Sequence, residues 1–393
     1  MNPEEQATLR DGASYDAIVV GGRAAGAATA MLLARHGMRT LLLERGVFGT
    51  DTMSTHALMR GGVLQLSRWG VLDRIIAAGT PPVHTSTFQY ANERIVVPIK
   101  PGRGVDALYA PRRTVLDPAL VDAASDAGAQ VRDRTSVIDL VRRGDRVTGV
   151  LTATVGEGFA ELKAPLVIGA DGMRSTIARK VDAPFTRRGH SVSAGTYGYW
   201  AGLDTSGYEW VFRGGAATGV IPTNDGLACV FANSTPERIG RGGVDTILEV
   251  AAATSPDLAE RLRAAVPASG TRTARGQHGY FRQASGPGWA LVGDAGYLKD
   301  PISAHGLTDA LRDAELLARA VIDGDGDIAA TDAALREYEA TRDHISRTLF
   351  DVVDQVASFD WTDARIADLL LQLSAAMTDE VALLTALDAE VAR

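Results

Sequence analysis

The sequence of 393 residues has a single cysteine and no excess of basic residues. One thiol excludes an intramolecular disulfide and a metal site with several thiolate ligands. Cys229 lies in the apolar segment LACVFA, so we expect a buried strand residue rather than a nucleophile. Lysine and arginine total 40 against 48 acidic residues, which gives a net charge of -8. That balance argues against a nucleic-acid partner, because neutralising phosphates requires a basic face.

Long apolar runs are also missing. No run approaches the ~20 residues that a membrane-spanning helix needs. Residues 1–14 lack the basic-then-apolar order of a signal peptide. We therefore expect a disordered lead over residues 1–14, no membrane span and a cytoplasmic location. The histidines lack metal-ligand spacing and no Gly-x-Ser-x-Gly hydrolase motif is present, so no metal site and no serine hydrolase are expected.

What the sequence does contain is a βαβ pattern near its start. The run YDAIVV is typical of a parallel strand buried on both faces, AGAATAMLLARHG predicts a helix, and RTLLLE predicts a second strand ending on Glu44. In the turn VVGGRAAG, Gly21 and Gly26 stand at the first and third positions of a dinucleotide-binding fingerprint. Arg23 replaces the second glycine, where its guanidinium could lie against phosphate oxygens. Glu44 is placed to accept hydrogen bonds from ribose hydroxyls.

Two further segments have the order strand, glycine-bearing turn, helix. In VIGADGMRSTIARK the turn holds Asp171, which suits a ligand rim but also suits a plain Asp-Gly turn with Ser175 starting the helix. In VGDAGYLKDPISAHGL a strand ends at Asp294, which can bind polyol hydroxyls. The amides of residues 304–307 there open a helix and present positive partial charge.

The pattern of apolar and polar residues along the chain predicts two structural domains followed by a helical C-terminal region. Buried strands alternating with helices are typical of a parallel sheet, whereas short alternating strands are typical of an antiparallel one. We therefore expect an α/β fold, in which a Rossmann-like cofactor domain carries an inserted antiparallel-sheet substrate domain and C-terminal helices. The expected boundaries are 15–80, 104–185 and 276–322 for the cofactor domain, 81–103 and 186–275 for the substrate domain, and 323–393 for the helices.

The three motifs together resemble those of FAD-dependent aromatic hydroxylases similar to p-hydroxybenzoate hydroxylase. They occur in the family's order and at family-like spacing, and the likeness covers most of residues 15–322. The resemblance implies FAD as cofactor, with NADH or NADPH as electron donor and no second Rossmann domain. It assigns FAD contacts to Gly21, Gly22, Arg23, Gly26, Glu44, Arg45, Arg113, Asp171, Gly293, Asp294, Pro301, Ala304, His305, Gly306 and Leu307. It also places Arg174 near the pyrophosphate and the nicotinamide route.

The sequence departs from that family around the expected flavin ring. Where the family shows Gly-Gln-Gly-x-Asn, this chain has residues 304–308 as Ala-His-Gly-Leu-Thr, and Tyr297 stands where a histidine is frequent. The combination of DTMSTH (51–56) with LKDP (298–301) resembles a little-characterised bacterial branch of FAD-dependent oxidoreductases. His56, His305 and Lys299 are the candidate catalytic residues. The two histidines would act as a proton relay or hydrogen-bond the substrate or flavin, and the alternative for each is a loop histidine bonded to backbone. Lys299 would stabilise negative charge on the flavin or bind an acidic substrate, and its alternative is a solvated lysine.

The resemblance implies a monooxygenase that uses NAD(P)H and O2 through a flavin C4a-hydroperoxide to oxygenate a small aromatic or polyketide-like substrate. The alternatives are a geranylgeranyl-reductase-like enzyme that reduces C=C bonds, and a flavin-dependent halogenase, although the Trp-x-Trp-x-Ile-Pro segment typical of halogenases is missing. A flavin-binding protein without turnover is the alternative outside enzymes. We expect a monomer or a homodimer.

Overall fold

The computed structural model describes residues 15–90, 92–102, 104–205 and 207–391, so the predicted lead over 1–14 lies outside the described residues. A mostly parallel six-stranded sheet forms the centre of the cofactor domain. Its strands, in spatial order, are β18 (Ser285–Gly286), β19 (Trp289–Leu291), β9 (Leu166–Gly169), β1 (Ala17–Val20), β2 (Thr40–Leu43) and β5 (Gln130–Arg132). Strands β1, β2 and β9 are buried along their whole length, which explains their continuous apolar sequences.

Helices cover this sheet and bring the three motifs to one edge. Helix α1 (Ala24–Arg35) follows β1 and packs against the later helix α9 (Gly306–Asp323). The helices between them along the chain are α2 (Arg60–Arg68), α3 (Leu72–Ala77), α4 (Arg113–Asp126), α5 (Thr176–Lys180), α6 (Pro236–Ile239), α7 (Val244–Thr254) and α8 (Pro256–Ala264). Because β1, β2, β9 and β19 run parallel, the loops that follow them all emerge at the carboxyl edge of the sheet.

In the described part of the chain, the second domain is formed by an eight-stranded, largely antiparallel sheet. Its order is β15 (Val266–Pro267), β11 (Ala194–Ala201), β14 (Leu227–Ser234), β13 (Ala216–Pro222), β12 (Tyr208–Arg213), β3 (Thr85–Tyr90) and β4 (Glu93–Pro98), with β16 (Arg272–Ala274) beside β11. One face packs against α7 and α8 through residues such as Trp200, and the other faces the cofactor domain. The two smaller sheets are β6 (Thr135–Arg143), β7 (Arg146–Thr154) and β8 (Gly158–Lys163), and β10 (Phe185–Arg188), β17 (Tyr280–Arg282) and β20 (Tyr297–Leu298).

The face toward the cofactor domain is rich in aromatic side chains. Tyr197, Tyr199, Tyr208, Trp210 and Phe231 lie there and are all buried, and we refer to them as the aromatic face. The rings of Trp210 and Phe231 are 5.7 Å apart, and those of Tyr208 and Trp210 are 5.8 Å apart. The alternation along each strand thus separates the aromatic face from the side that packs on helices.

Two long helices complete the chain, α10 (Ile328–Ala357) and α11 (Asp363–Val391). The expected α/β fold with a Rossmann-like cofactor domain, an antiparallel sheet and C-terminal helices is confirmed, while the numbered domain boundaries stay predictions. Helices α2 and α3 are separate, because the chain turns at Gly70, whose φ is 66°.

Helix α11 also shows a property that the sequence reading missed. The window Asp363–Leu387 is long and apolar enough to cross a membrane by length and composition, with a mean hydropathy of 1.3, and 28% of it is buried. A core helix of a soluble protein passes the same test, so the expected absence of a membrane span stays a prediction.

Candidate functional site

The glycine turn after β1 is tightly packed. A Cβ atom at Gly26 would lie 1.9 Å from the carbonyl oxygen of Gly21, and one at Gly21 would lie 2.4 Å from the carbonyl oxygen of Ala170. Gly21 also has a φ of 110°, a backbone conformation that residues with a side chain rarely adopt. These contacts are the close approaches for which the fingerprint needs glycine at its first and third positions.

Glu44 stands at the end of β2 and faces this turn. One of its carboxylate oxygens accepts a hydrogen bond from the amide of Gly22 and the other accepts one from the amide of Gly46, both at 2.8 Å. The two bonds fix the carboxylate beside the turn, and each oxygen keeps acceptor capacity for a hydroxyl group. This is the placement expected of a ribose-binding acid.

Arg23 and Arg113 share one carboxylate. Asp117 accepts both a guanidinium bond from Arg113 at 2.8 Å and one from Arg23 at 3.3 Å. Arg113 and Asp117 are buried, whereas the Arg23 side chain is 39% exposed. Two cations against one acid leave an excess positive charge beside the glycine turn, which suits a diphosphate.

Asp294 lies at the end of the strand-turn segment that follows β19. Within the described chain its partly exposed carboxylate accepts no hydrogen bond, although its backbone carbonyl accepts one from the Tyr280 hydroxyl at 2.5 Å. Burial raises the pKa of Asp294 to about 6, and the nearby cations Arg113 and Lys299 only partly oppose that shift. An uncommitted acceptor at this strand end is available to a hydroxyl-bearing ligand.

The segment before α9 forms an open helix N-terminus. Buried Asp300 caps the short 3-10 turn Pro301–Ser303 by accepting the amide of Ile302 at 3.0 Å. Ala304 then adopts a left-handed conformation with φ of 49°, at the position where the resembled family has glycine. Gly306 is exposed, and a Cβ atom there would meet nothing within 4 Å. The exposed start of α9 therefore leaves space beside the first amides of the helix, which have no partner within the helix and suit an electron-rich group.

Asp171 has a structural role in the second motif. Its carboxylate accepts the Ser175 hydroxyl at 2.5 Å and the Thr176 amide at 2.6 Å, while Ser175 caps α5. The side chain is thus committed to starting α5, as the plain-turn alternative expects. Arg174 and Arg45 are exposed.

His305 and Lys299 lie in a buried ion cluster, which we define as His305, Lys299, Asp309, Arg312, Asp313 and Glu380. The His305 ring lies between two acids, with Nδ1 3.0 Å from Asp309 and Nε2 2.9 Å from Glu380 of α11. Lys299 forms an ion pair with Asp309, and Arg312 contacts Glu380 at 2.8 Å. The structure thus brings two of the three catalytic candidates, His305 and Lys299, together, and both lie toward Glu380 of α11.

Within the buried ion cluster, neighbouring charges of opposite sign counteract the pKa shifts that burial causes. Burial alone would raise the pKa of Glu380, but His305, Arg312 and Lys299 lower it to about 2. Burial lowers the pKa of Lys299 to about 7, and Arg312 adds to that shift against the nearby acids. Ligand atoms of His305, Asp309 and Glu380 lie within 4.8 Å of one another. Because Lys299 and Arg312 already contact these carboxylates, the cluster carries its own cations.

His56 is the catalytic candidate that reaches the aromatic face. Its Nε2 atom lies 2.5 Å from the Tyr199 hydroxyl, and its buried Nδ1 has no hydrogen-bond partner in the described protein. Its backbone is left-handed, with φ of 69°. Burial lowers the pKa of His56 to about 3, helped by Arg113, Arg112 and Arg272, so the imidazole is neutral at neutral pH. A neutral ring can position a ligand through hydrogen bonds.

Sequence reasoning missed Asp117 and Glu380. Glu380 becomes visible only through its contact with His305 across 75 residues of chain, and Asp117 also contacts Arg23 across 94 residues. Asp117 alone carried a local signal, since it lies four residues after Arg113 on one helix face.

Comparison with known proteins names the cofactor for which this geometry is built. The FAD binding domain family matches residues 14–353. The chain belongs to this family. The match confirms FAD as cofactor, and the protein is an FAD-dependent oxidoreductase, while the roles of single residues and the NAD(P)H donor stay predictions. The glycine turn, the arginine pair, the free Asp294 carboxylate and the space at Gly306 fit FAD.

The chain is similar to flavoenzymes of differing reactions. Digeranylgeranylglycerophospholipid reductase of Methanocella arvoryzae is 24% identical over 360 residues, which cover 85% of this chain and 84% of that protein. A probable FAD-dependent monooxygenase from Pseudomonas aeruginosa has a TM-score of 0.76 at 19% identity, covering 91% of this chain and 99% of that one. A myxobacterial chondrochloren halogenase has a TM-score of 0.77 at 22% identity, covering 92% and 90%. The solved structures share the fold.

Proposed function

We propose that the protein is a FAD-dependent reductase of a carbon–carbon double bond in an apolar, unsaturated substrate. The observation that carries the proposal is the aromatic face, whose five large side chains are buried beneath the cofactor domain. Aromatic and aliphatic surface of this kind favours a hydrocarbon over a sugar or a nucleotide. The named Methanocella arvoryzae relative, a reductase of a geranylgeranyl lipid, supports the same choice.

The residues of the site would divide the work by position. Glu44, Arg23 and Arg113 would bind the nucleotide half of FAD, and Asp294 with the start of α9 would bind its other half. FAD when bound supplies the two-electron chemistry. The His56–Tyr199 pair would orient the substrate, because both groups are neutral and hydrogen-bonded at 2.5 Å. The aromatic face would exclude water.

Oxygenation of an aromatic substrate is the second candidate. The His56–Tyr199 hydrogen bond favours it, since an imidazole and a phenol next to each other can hydrogen-bond a phenolic or amino group on an aromatic ring. The electron donor would be NADH or NADPH in either reaction. The location of the protein and its oligomeric state stay predictions.

Product analysis separates the two reactions. The FAD-loaded protein is reduced with dithionite without oxygen and incubated with geranylgeranyl diphosphate or a digeranylgeranylglycerol phospholipid. We expect products that gain two hydrogen atoms for each double bond reduced. In parallel, the aerobic protein is given NADH or NADPH, ¹⁸O2 and an aromatic substrate panel. A product that carries ¹⁸O, with no hydrogenated lipid in the first arm, would replace the proposal by the oxygenase.

A further inference from the structure

The loop 51–56 joins the cofactor domain to the second sheet through a charged contact. The carboxylate of Asp51 lies 3.1 Å from a guanidinium nitrogen of Arg272 on β16 and 3.8 Å from one of Arg112. The Asp51 side chain is 19% exposed. One acid of a loop therefore lies between two arginines that come from different domains.

The guanidinium group of Arg112 makes only long contacts with acidic side chains of the protein. Its nearest acids are Asp225 at 3.5 Å and Asp51 at 3.8 Å, both beyond a short charge-assisted bond. Its Nε atom is buried and has no hydrogen-bond partner among the described residues. Its guanidinium lies 4.6 Å above the centre of the Tyr199 ring. An arginine held by an aromatic ring with unused donors is prepared to bind an anion.

The neighbouring residues Arg112 and Arg113 make different contacts. Arg113 points to Asp117 and the glycine turn, whereas Arg112 points to the aromatic face. Because the two side chains point in different directions, Arg113 is available to the cofactor and Arg112 is available to another ligand. Arg272 reaches the same place because its backbone pairs with Tyr197 in the sheet.

We propose that Arg112 and Arg272 form an anion subsite for the carboxylate or phosphate end of the substrate, and that Asp51 fills this subsite in the ligand-free protein. The inference rests on the proposed function for the apolar body, and it assigns the substrate class as an amphiphile: an unsaturated apolar chain or ring with an anionic end. The apolar part would lie on the aromatic face, beside the anion subsite.

Displacement of Asp51 would also move the rest of the loop 51–56. The amide of Ser54 donates to the Tyr197 hydroxyl at 3.1 Å, and the amide of His56 donates to the Ser54 hydroxyl at 3.0 Å. Because these bonds follow Asp51 directly along the chain, an anion that replaces its carboxylate would shift the segment that positions His56. Binding of the charged end is thereby connected to the His56–Tyr199 pair.

Binding measurements on the FAD-loaded protein test the subsite without turnover. Calorimetry would compare geranylgeranyl diphosphate, the uncharged geranylgeraniol and inorganic pyrophosphate on the wild type, Asp51→Asn, Arg272→Gln and Arg112→Gln. We expect Asp51→Asn to bind both anions about tenfold more tightly, because a competing carboxylate is removed. Each arginine variant should lose about tenfold or more, and geranylgeraniol should bind all four proteins alike.

Asp126→Asn is the matched control, because it breaks an exposed ion pair with Arg74 at 2.7 Å elsewhere on the surface. Equal pyrophosphate binding by the wild type, Asp51→Asn and Arg272→Gln would overturn the anion subsite, as would no pyrophosphate binding by any of them. Failure of the reductase proposal would look different. There the anions would bind with the expected ranking, but the bound lipid would remain unreduced in the product assay.

Discussion

At the scale of single residues, the site depends on positions where the backbone tolerates no change. Gly21 and Gly26 allow the turn after β1 to approach its neighbours, and Ala304 and His56 adopt left-handed backbone beside the cofactor space and the aromatic face. Left-handed backbone in non-glycine residues costs free energy and clusters at functional sites.

Gly26→Ala should abolish FAD retention. The added Cβ would lie 1.9 Å from the Gly21 carbonyl oxygen, so the turn must move away from its cofactor-binding position. The purified variant should be colourless, and its apoprotein should fail to take up FAD in an absorbance titration. Gly270→Ala is the control, because a Cβ there meets nothing within 4 Å and its φ is unremarkable. A yellow Gly26→Ala protein would disprove this role.

Asp294 should make the stability of the apoprotein depend on pH. Because its folded pKa of about 6 lies above the unfolded value of 3.8, the folded state binds more protons between these values, and stability falls as pH rises through them. Asp294→Asn removes this penalty. Its gain in free energy of unfolding should be about 1–2 kcal/mol larger near pH 7.5 than near pH 4.5, after allowance for partial exposure.

Urea unfolding of both apoproteins at the two pH values measures that difference. The same substitution should weaken FAD binding by about 1–3 kcal/mol, because a ligand hydroxyl loses its charged acceptor. A gain that does not change with pH would show that Asp294 has an ordinary pKa.

Local sequence order predicted the position of some site residues but not of others. Glycine spacing and the strand before it were enough to predict the close contacts of Gly21 and Gly26, because those contacts are local. The same local order placed Glu44 beside the turn. It could not place Lys299 or His305, since their direction depends on Glu380 from a helix far along the chain.

At the scale of elements, helix α11 buries only a small part of its apolar surface against the rest of the protein. Only 28% of its apolar window is buried, yet its Glu380 lies inside the buried ion cluster, bound to His305 and Arg312. The sequence predicted helix for this region, but an amphipathic pattern shows neither the partner of a helix nor the reason for a buried acid. The contact of α11 with the start of α9 links the C-terminal helices to the cofactor site.

Glu380→Gln should lower the free energy of unfolding by about 1.5–3 kcal/mol, the value of a hydrogen bond to a charged group. Asp379→Asn, one residue away on the exposed side of the same helix, should change it by less than about 0.5 kcal/mol. Chemical denaturation of the two variants beside the wild type measures both values. Equal effects of the two substitutions would mean that the buried ion cluster does not stabilise α11.

At the scale of the whole molecule, two sheets of different character pack around one shared core. The parallel sheet brings its motif loops to one edge, and the antiparallel sheet presents the aromatic face toward them. Alternation along a strand divides its side chains between two faces but does not say which face a given tyrosine or tryptophan takes. The register that puts Tyr197 and Tyr199 with Trp210, and Trp200 on the other side, comes from strand pairing across the domain.

An anaerobic absorbance titration tests the proposed reaction most directly. The FAD-loaded protein is photoreduced until its visible flavin absorbance is bleached, and geranylgeranyl diphosphate is then added without oxygen. We expect oxidised flavin absorbance to return, in proportion to the double bonds reduced, because the alkene accepts the electrons. A spectrum that stays bleached with every unsaturated lipid offered, and recovers only when air is admitted, would contradict it.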